Sequence, residues 1–377
     1  QFGGSGRQIV TDIAVDKSRN YHLTGHFENR INFGNGFQKA LSDSVVGFYY
    51  AEIDSSGVCK NAVFAESDSA IEGKSIAAIN SGEIFIAGDY AGIAEFGSGN
   101  SIETERKTDI FVLKISDGGI SWIKTINGEE NITASSVCPD ENGNVYVTGA
   151  FAGNIDFGDG NELSSRGKED SFFAKYDGEG NVVGIHQIGG LASDAGKDIY
   201  VDNNKNIFCS GYFSETANFD KNIKFVSFGG YDNYVAKYDE NMDYTWVVQT
   251  GGPWKDEALT INGFYDEYLL YGGIYQSSGI FGGGLQSTSR GGDDLYIIKL
   301  DGKGVPEWGY FTGGTENEFL NEIAVQSRKE IYATGEFDDS VEFSHKYKLK
   351  NSGERDIFLM KLTECGESSI NYPWKHG

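Results

Sequence analysis

Five histidines and 56 acidic residues carry most of the reactive chemistry in this chain. His22 and His26 stand four apart, on one face of any strand that holds them, while His186, His345 and His376 are scattered. A zinc centre needs a third protein ligand, and the sequence offers none beside this pair, so no metal site is assigned. No Ser/His/Asp set stands out. Carboxylates are abundant enough for two to flank a glycosidic bond, but abundance carries no geometry, and no catalytic residue is assigned. An enzyme would need two carboxylates, or a Tyr/His pair, directed inward from the starts of equivalent strands, where Asp12, Lys74, Lys197, Asp198 and Glu322 form a mixed-charge ring. Such a ring reads first as solvated channel lining.

Binding chemistry has a sharper address. The segment Gly251-Gly252-Pro253-Trp254-Lys255-Asp256-Glu257 places a tryptophan where its counterparts elsewhere in the chain are Gly6, Ser69, Glu130, Ala192 and Glu316. Trp254, Asp256, Tyr265, Tyr268 and Tyr275 are the candidate binding residues, a sugar-stacking platform in which aromatic faces meet C–H groups and a carboxylate accepts from hydroxyls.

The elements that must position these residues follow a repeat, Gly-x-(Phe/Tyr)-x5-Phe. Its glycines are Gly25, Gly88, Gly149, Gly211, Gly273 and Gly335; its first aromatics Phe27, Tyr90, Phe151, Phe213, Tyr275 and Phe337; its second Phe33, Phe96, Phe157, Phe219, Phe281 and Phe343. In the third copy, strands are predicted around Ser135–Cys138, at Val145–Phe151, at Ser171–Tyr176 and from Val182, with a long excursion carrying Phe157 between the second and third. Asn- and Gly-rich turns between β-branched runs are hairpin signals. A period near 62 residues in a strand-rich chain predicts stacked units. The fold expected is all-β, a single six-bladed β-propeller with four antiparallel strands per blade, its blades at approximately 1–66, 67–127, 128–189, 190–251, 252–313 and 314–377. Trp122, Trp246, Trp308 and Trp374 share one place in the fourth strands, and the chain ends are expected to meet.

The run Gly189-Gly190, Asp202, Asn206, Gly211 and Phe213, with Phe157-Gly158 and with Asp170, Phe172, Lys175, Asp177 and Gly180, resembles the bacterial SBBP β-propeller repeat family. The resemblance spans essentially all six repeats, although the family's name refers to seven blades. It implies a secreted or cell-surface bacterial protein, often one module of a longer chain, with no shared catalytic residues.

Composition narrows the partners. With 31 basic against 56 acidic residues the net charge is −25, and without a basic stripe nucleic acid is excluded. No apolar run is long enough to span a membrane. Asp/Asn-rich turns at Asp140, Asp177, Asp202 and Asp239 offer oxygens of the kind calcium takes, but hairpin turns want the same residues, so no cofactor is assigned and calcium stays open. Cys59, Cys138, Cys209 and Cys365 do not suggest a disulfide framework; Cys59 and Cys365 are the one couple whose bridging is conceivable. A start at Gln1 without an apolar leader reads as a processed or trimmed segment.

Residues common to every repeat should hold it together, and exceptions should mark function. Lys114, Lys175, Lys237, Lys299 and Lys361 each follow Asp109, Asp170, Asp232, Asp294 or Asp356 by five residues, on opposite strand faces, which predicts that each Lys faces an Asp or a carbonyl of the next blade. The expected function is a non-catalytic extracellular interaction module binding a protein partner or a glycan on its long-loop face. The alternatives are a carbohydrate-active hydrolase or lyase, and an architectural spacer of a large adhesin.

Overall fold

The predicted strands form. In the computed structural model the chain is all-β, built of antiparallel pairs with no helix among the described residues, which are residues 2–42, 45–97, 99–105, 107–264, 268–327, 330–344, 347–362 and 368–369. Two compact units divide at Gln187/Ile188. Repeats one to three make up the first and repeats four to six the second, the boundary falling inside the last strand of repeat three.

Each repeat runs through four strands paired in sequence. Repeat three uses Ile132–Pro139, Val145–Asp156, Glu162–Tyr176 and Val182–Gly190; repeat five uses Asp256–Phe264, Tyr268–Ile280, Gln286–Asp301 and Pro306–Thr312. The excursion that carries Phe157 is no loop: strands two and three extend through it as a hairpin, Asn154 opposite Ser164 and Asp156 opposite Glu162. Four residues after each repeat glycine the backbone is left-handed, at Asn29, Gly92, Gly153, Glu215, Ser277 and Asp339 (φ 52–71°). Such φ values are unfavourable for side-chain-bearing residues. In repeats three to five a hydroxyl offsets this, since Ser165, Ser227 and Ser289 accept the N–H of Gly153, Glu215 and Ser277.

Every first strand carries a β-bulge at one position, occupied by Thr11, Lys74, Ser135, Lys197, Leu259 and Asn321. A bulge places two residues against one and locally bends the strand. It also explains the repeat glycine. A Cβ on Gly25, Gly88, Gly149, Gly211, Gly273 or Gly335 would lie 1.9–2.2 Å from the carbonyl oxygen of the first-strand residue just before its ladder partner. Close approach, not a special φ, makes glycine necessary there.

Both aromatic columns are buried, the first at 0–2 % exposure and the second at 0–5 %. The core of each unit lies between successive repeats. Phe85, Val112 and Ile126 of repeat two pack with Val147, Phe151, Phe157 and Phe172 of repeat three, and Leu270, Leu295 and Ile297 of repeat five pack with Leu320, Phe337 and Phe358 of repeat six. In repeats one, two, four and five the residue after the bulge ties one repeat to the next. Asp12 accepts from Ile76 N (2.8 Å), Ser75 Oγ from Val137 N (3.2 Å), Asp198 from Ile261 N (2.8 Å) and Thr260 Oγ1 from Ile323 N (3.3 Å). Of the mixed-charge residues, Asp12 and Asp198 cap neighbouring backbone, Glu322 accepts from Thr260 Oγ1 (2.8 Å), Lys74 and Lys197 are bulge residues, and none of the five is buried.

The lysine column meets aromatic rings of its own repeat. Lys114, Lys175, Lys237, Lys299 and Lys361 lie 4.4–5.5 Å from the centroids of Phe85, Tyr146, Phe208, Tyr268 and Tyr332, contacts worth about 0.5–2 kcal/mol each. Lys114 also donates to the Gly178 carbonyl of the next repeat (3.0 Å), as anticipated. The aspartates do something else: Asp170, Asp232, Asp294 and Asp356 accept the N–H of the residue four before them. Trp122 Nε1 donates to Gly178 O (3.0 Å). Cys59 and Cys209 are free; Cys365, Trp374 and the expected meeting of the chain ends lie outside the described residues.

Candidate functional site

The predicted platform is not assembled. Trp254 is 59 % exposed, but Asp256 is fully buried and both its oxygens are engaged, by Gly252 N (2.8 Å) and Gln276 N (3.2 Å). Tyr275, opposite Asp256 in the ladder, is buried against Phe281 and Phe311, its hydroxyl 2.8 Å from Ser287 Oγ. Tyr268 is buried at the other end of the same strand under Lys299, and Tyr265 lies outside the described residues. Asp256 and Tyr275 are structural members of their repeat, and among the described members Trp254 alone offers a face to solvent.

The histidine pair is likewise divided, because four residues along a strand span about 13 Å. His22, at one end, sits 3.0 Å from Tyr50 Oη and 3.3 Å from Asp16. His26, at the other, sits 3.1 Å from Glu72 of repeat two. The turn aspartates are spent locally: Asp140, Asp177, Asp202 and Asp239 each accept the N–H four residues on, which closes the hairpin. Among the described residues no three His, Cys, Asp or Glu side chains group to hold a metal ion.

Polar groups that break the repeat do converge in the first unit, where repeats one, two and three meet at the long-loop end of their first strands. Glu72 and Asp89 face each other across strands one and two of repeat two. One Glu72 oxygen lies 3.1 Å from His26 Nδ1 and the other accepts from Lys74 Nζ (2.6 Å). Asp89 lies 3.9 Å from Lys74 and accepts from Thr133 Oγ1 (2.6 Å) and Ala134 N (2.8 Å) of repeat three. Beside this chain of contacts opens a cleft of about 250 Å³ lined by His26, Val46, Ile71, Glu72, Asp89 and Tyr90. In the other repeats the counterparts of His26 and Asp89 are Ala150, Tyr212, Ile274 and Glu336.

The two carboxyls titrate apart. Burial pushes Asp89 up to about 6, against the lowering pull of Thr133, Ala134 N and Lys74. The His26 contact, joined by Lys74 and opposed by burial, holds Glu72 down at about 2. Opposed shifts in neighbouring carboxyls are a signature of functional sites. Chemically the cleft wall offers an ionised acceptor in Glu72, a second carboxyl in Asp89 and an imidazole in His26, with Lys74 and Thr133 bonded to the carboxyls outside the lining. The sequence reading singled out His26 and Lys74 but missed Glu72, Asp89 and Thr133. The available signal was the pair of polar residues, His26 and Asp89, directly after the repeat glycine in consecutive repeats.

No protein-family model matches this chain, and no curated protein matches it. Among solved structures, it is similar to the subtype N10 neuraminidase-like protein of A/little yellow-shouldered bat/Guatemala/060/2010, at 9 % identity and TM-score 0.43 over 89 % of this chain and 94 % of that one. It is also similar to a Dyadobacter fermentans protein of unknown function, at 10 % identity and TM-score 0.40 over 93 % and 97 %.

Proposed function

We propose that the chain is a six-bladed β-propeller of the SBBP type that serves as a non-catalytic interaction module on the bacterial surface or outside the cell, with a glycan as its ligand. The observation that carries this reading is the cleft of repeats one to three. His26 and Asp89 depart from most repeats, and with Glu72 they remain partly solvent-accessible and present acceptors and a donor suited to sugar hydroxyls. Apolar walls of Ile71 and Tyr90 lie beside them.

A glycan-array screen of the whole chain, with and without calcium, tests the reading. Binding that Asp89→Ala or Glu72→Ala weakens at least tenfold, with Trp254→Ala unaffected, supports the cleft. Binding lost only in Trp254→Ala moves the ligand to repeat five, and no binding by the folded chain refutes the glycan reading. The opposed shifts of Asp89 and Glu72 favour one second reading, a carbohydrate-active enzyme with Asp89 as acid and Glu72 as the ionised partner. Release of reducing sugar from a bound glycan, with a rate that falls as pH rises above about 6, supports that version; bound glycan recovered intact rejects it.

A further inference from the structure

The connectors between repeats in the second unit bury carboxyl groups in pairs, and in each pair at least one oxygen has no hydrogen-bond donor. Each connector is a Gly-Gly pair with a buried carboxyl on either side. Gly252 N donates to Asp256 (2.8 Å), and a Cβ on Gly251 would lie 2.8 Å from Asp232 Oδ1. Likewise Gly314 N donates to Glu318 (2.7 Å), and a Cβ on Gly313 would lie 2.3 Å from Asp294 Oδ1. All four carboxyls are at most 1 % exposed. Three of their oxygens, Asp232 Oδ1, Asp294 Oδ1 and Glu318 Oε1, are buried without a hydrogen-bond partner.

The first unit shows the single-carboxyl solution. There Ile132 replaces the first-strand carboxyl, and Gly128 N donates instead to the third-strand Asp109 (2.8 Å). One donor then serves one carboxylate. In the second unit the third-strand carboxyls turn to other donors, Phe228 N and Gln249 Nε2 for Asp232 and Arg290 N for Asp294, which leaves one oxygen of each bare and buries like charges together unless a proton supplies the missing O–H.

We propose that each second-unit connector, Asp232/Asp256 and Asp294/Glu318, retains a proton at neutral pH, so that protons clamp this unit and base loosens it. The surrounding charges do not remove the need. Asp293 adds to the negative field at Asp256 and Asp294, Asp338 adds to it at Glu318, and Arg290 is the one cation acting on Asp294 and Glu318. Burial pushes Asp256 up to about 7 and Glu318 up to about 8, with Asp232 and Asp294 at about 6. Tyr275 and Tyr296, which sense these carboxyls, are themselves raised and stay neutral. The sign follows from proton counting: between the unfolded carboxyl value near 4 and these folded values, the native state binds more protons. Stability is greatest at the acidic end of that window and is lost as pH rises through about 6 to 8.

Hydrogen exchange of the whole chain, corrected for intrinsic rate, reads this directly. From pH 6 to 8 the opening constants at Thr250–Gly252 and Thr312–Gly314 should rise by up to about tenfold per pH unit, while Ile126–Gly128 stays flat. Asp232→Asn and Asp294→Asn supply an N–H in place of the proton and should flatten the slope and lower opening at pH 8. A flat wild-type slope overturns the proposal, as does faster opening of both folded variants at pH 8, or closure at pH 8 by calcium alone, which would make these cation sites. Should the variants not fold, infrared spectroscopy of the wild type decides: a buried protonated-carboxyl band at pH 7 that vanishes by pH 9 supports it, and its absence at pH 7 overturns it.

Discussion

Truncating Phe157 tests the claim that core lies between repeats and not within each sheet. Its ring is 3 % exposed, sits edge-on to Phe172 at 5.4 Å between centroids, and belongs to a cluster drawn from repeats two and three. Phe157→Ala removes a buried aromatic from a position whose neighbours are fixed by strand pairing on both sides, so the cavity cannot collapse. The expected cost is about 3–5 kcal/mol. The first unit spans Gln1–Gln187, and for a body of that size each kcal/mol lowers Tm by roughly 2–4 °C. Calorimetry should therefore show its transition falling by roughly 6–20 °C. Val183→Ala, in the same repeat but 55 % exposed, should stay within about 0.5 kcal/mol of wild type. If Phe157→Ala melts where the Val183 control does, burial of this column does not hold the unit together and the packing argument fails.

Further expectations concern the devices that fix the repeat. Asp198→Ala orphans Ile261 N–H and should cost about 1–3 kcal/mol in urea denaturation, whereas Asp198→Asn keeps an acceptor and should cost less than about 1 kcal/mol; equal costs would show that the tie between repeats four and five carries no energy. Gly149→Ala drives a Cβ to 2.0 Å from Thr133 O, while Gly158→Ala meets nothing within 4 Å and bears only its positive φ, about 1–2 kcal/mol. The first should be the more destabilising by a clear margin in the same assay, and the reverse order would count against the close-approach explanation. Cys209 is buried, with its thiol pushed well up by that burial, so mass spectrometry of the folded chain after iodoacetamide should find Cys138 labelled before it.

The repeat was legible because its signals are local and recur. Strand alternation, Asn-Gly turns and the aromatic at every Gly+2 and Gly+8 need only the next few residues to be understood, and all of them land where the period places them. The left-handed column was not legible: four of its six members, Asn29, Glu215, Ser277 and Asp339, are not glycine, and the seryl hydroxyls that steady three of these positions lie twelve residues on. The binding platform failed for a related reason. Tyr275 is a repeat aromatic and so belongs to the core, and Asp256 is consumed by a connector amide.

What the sequence by itself determined is the alternation of faces, and with it which side chains are buried. The first-strand bulge belongs to tertiary structure. Its occupants, Thr11, Lys74, Ser135, Lys197, Leu259 and Asn321, share no chemistry, because a bulge is set by how two ladders must bend to meet and not by one side chain. Yet that one-residue shift decides the contacts around the cleft and between repeats. It sets Glu72 opposite Asp89, turns Asp12 and Asp198 toward the next repeat, and presses a carbonyl on each repeat glycine. Register between strands is a property of the assembled sheet, and the chemistry of the cleft begins there.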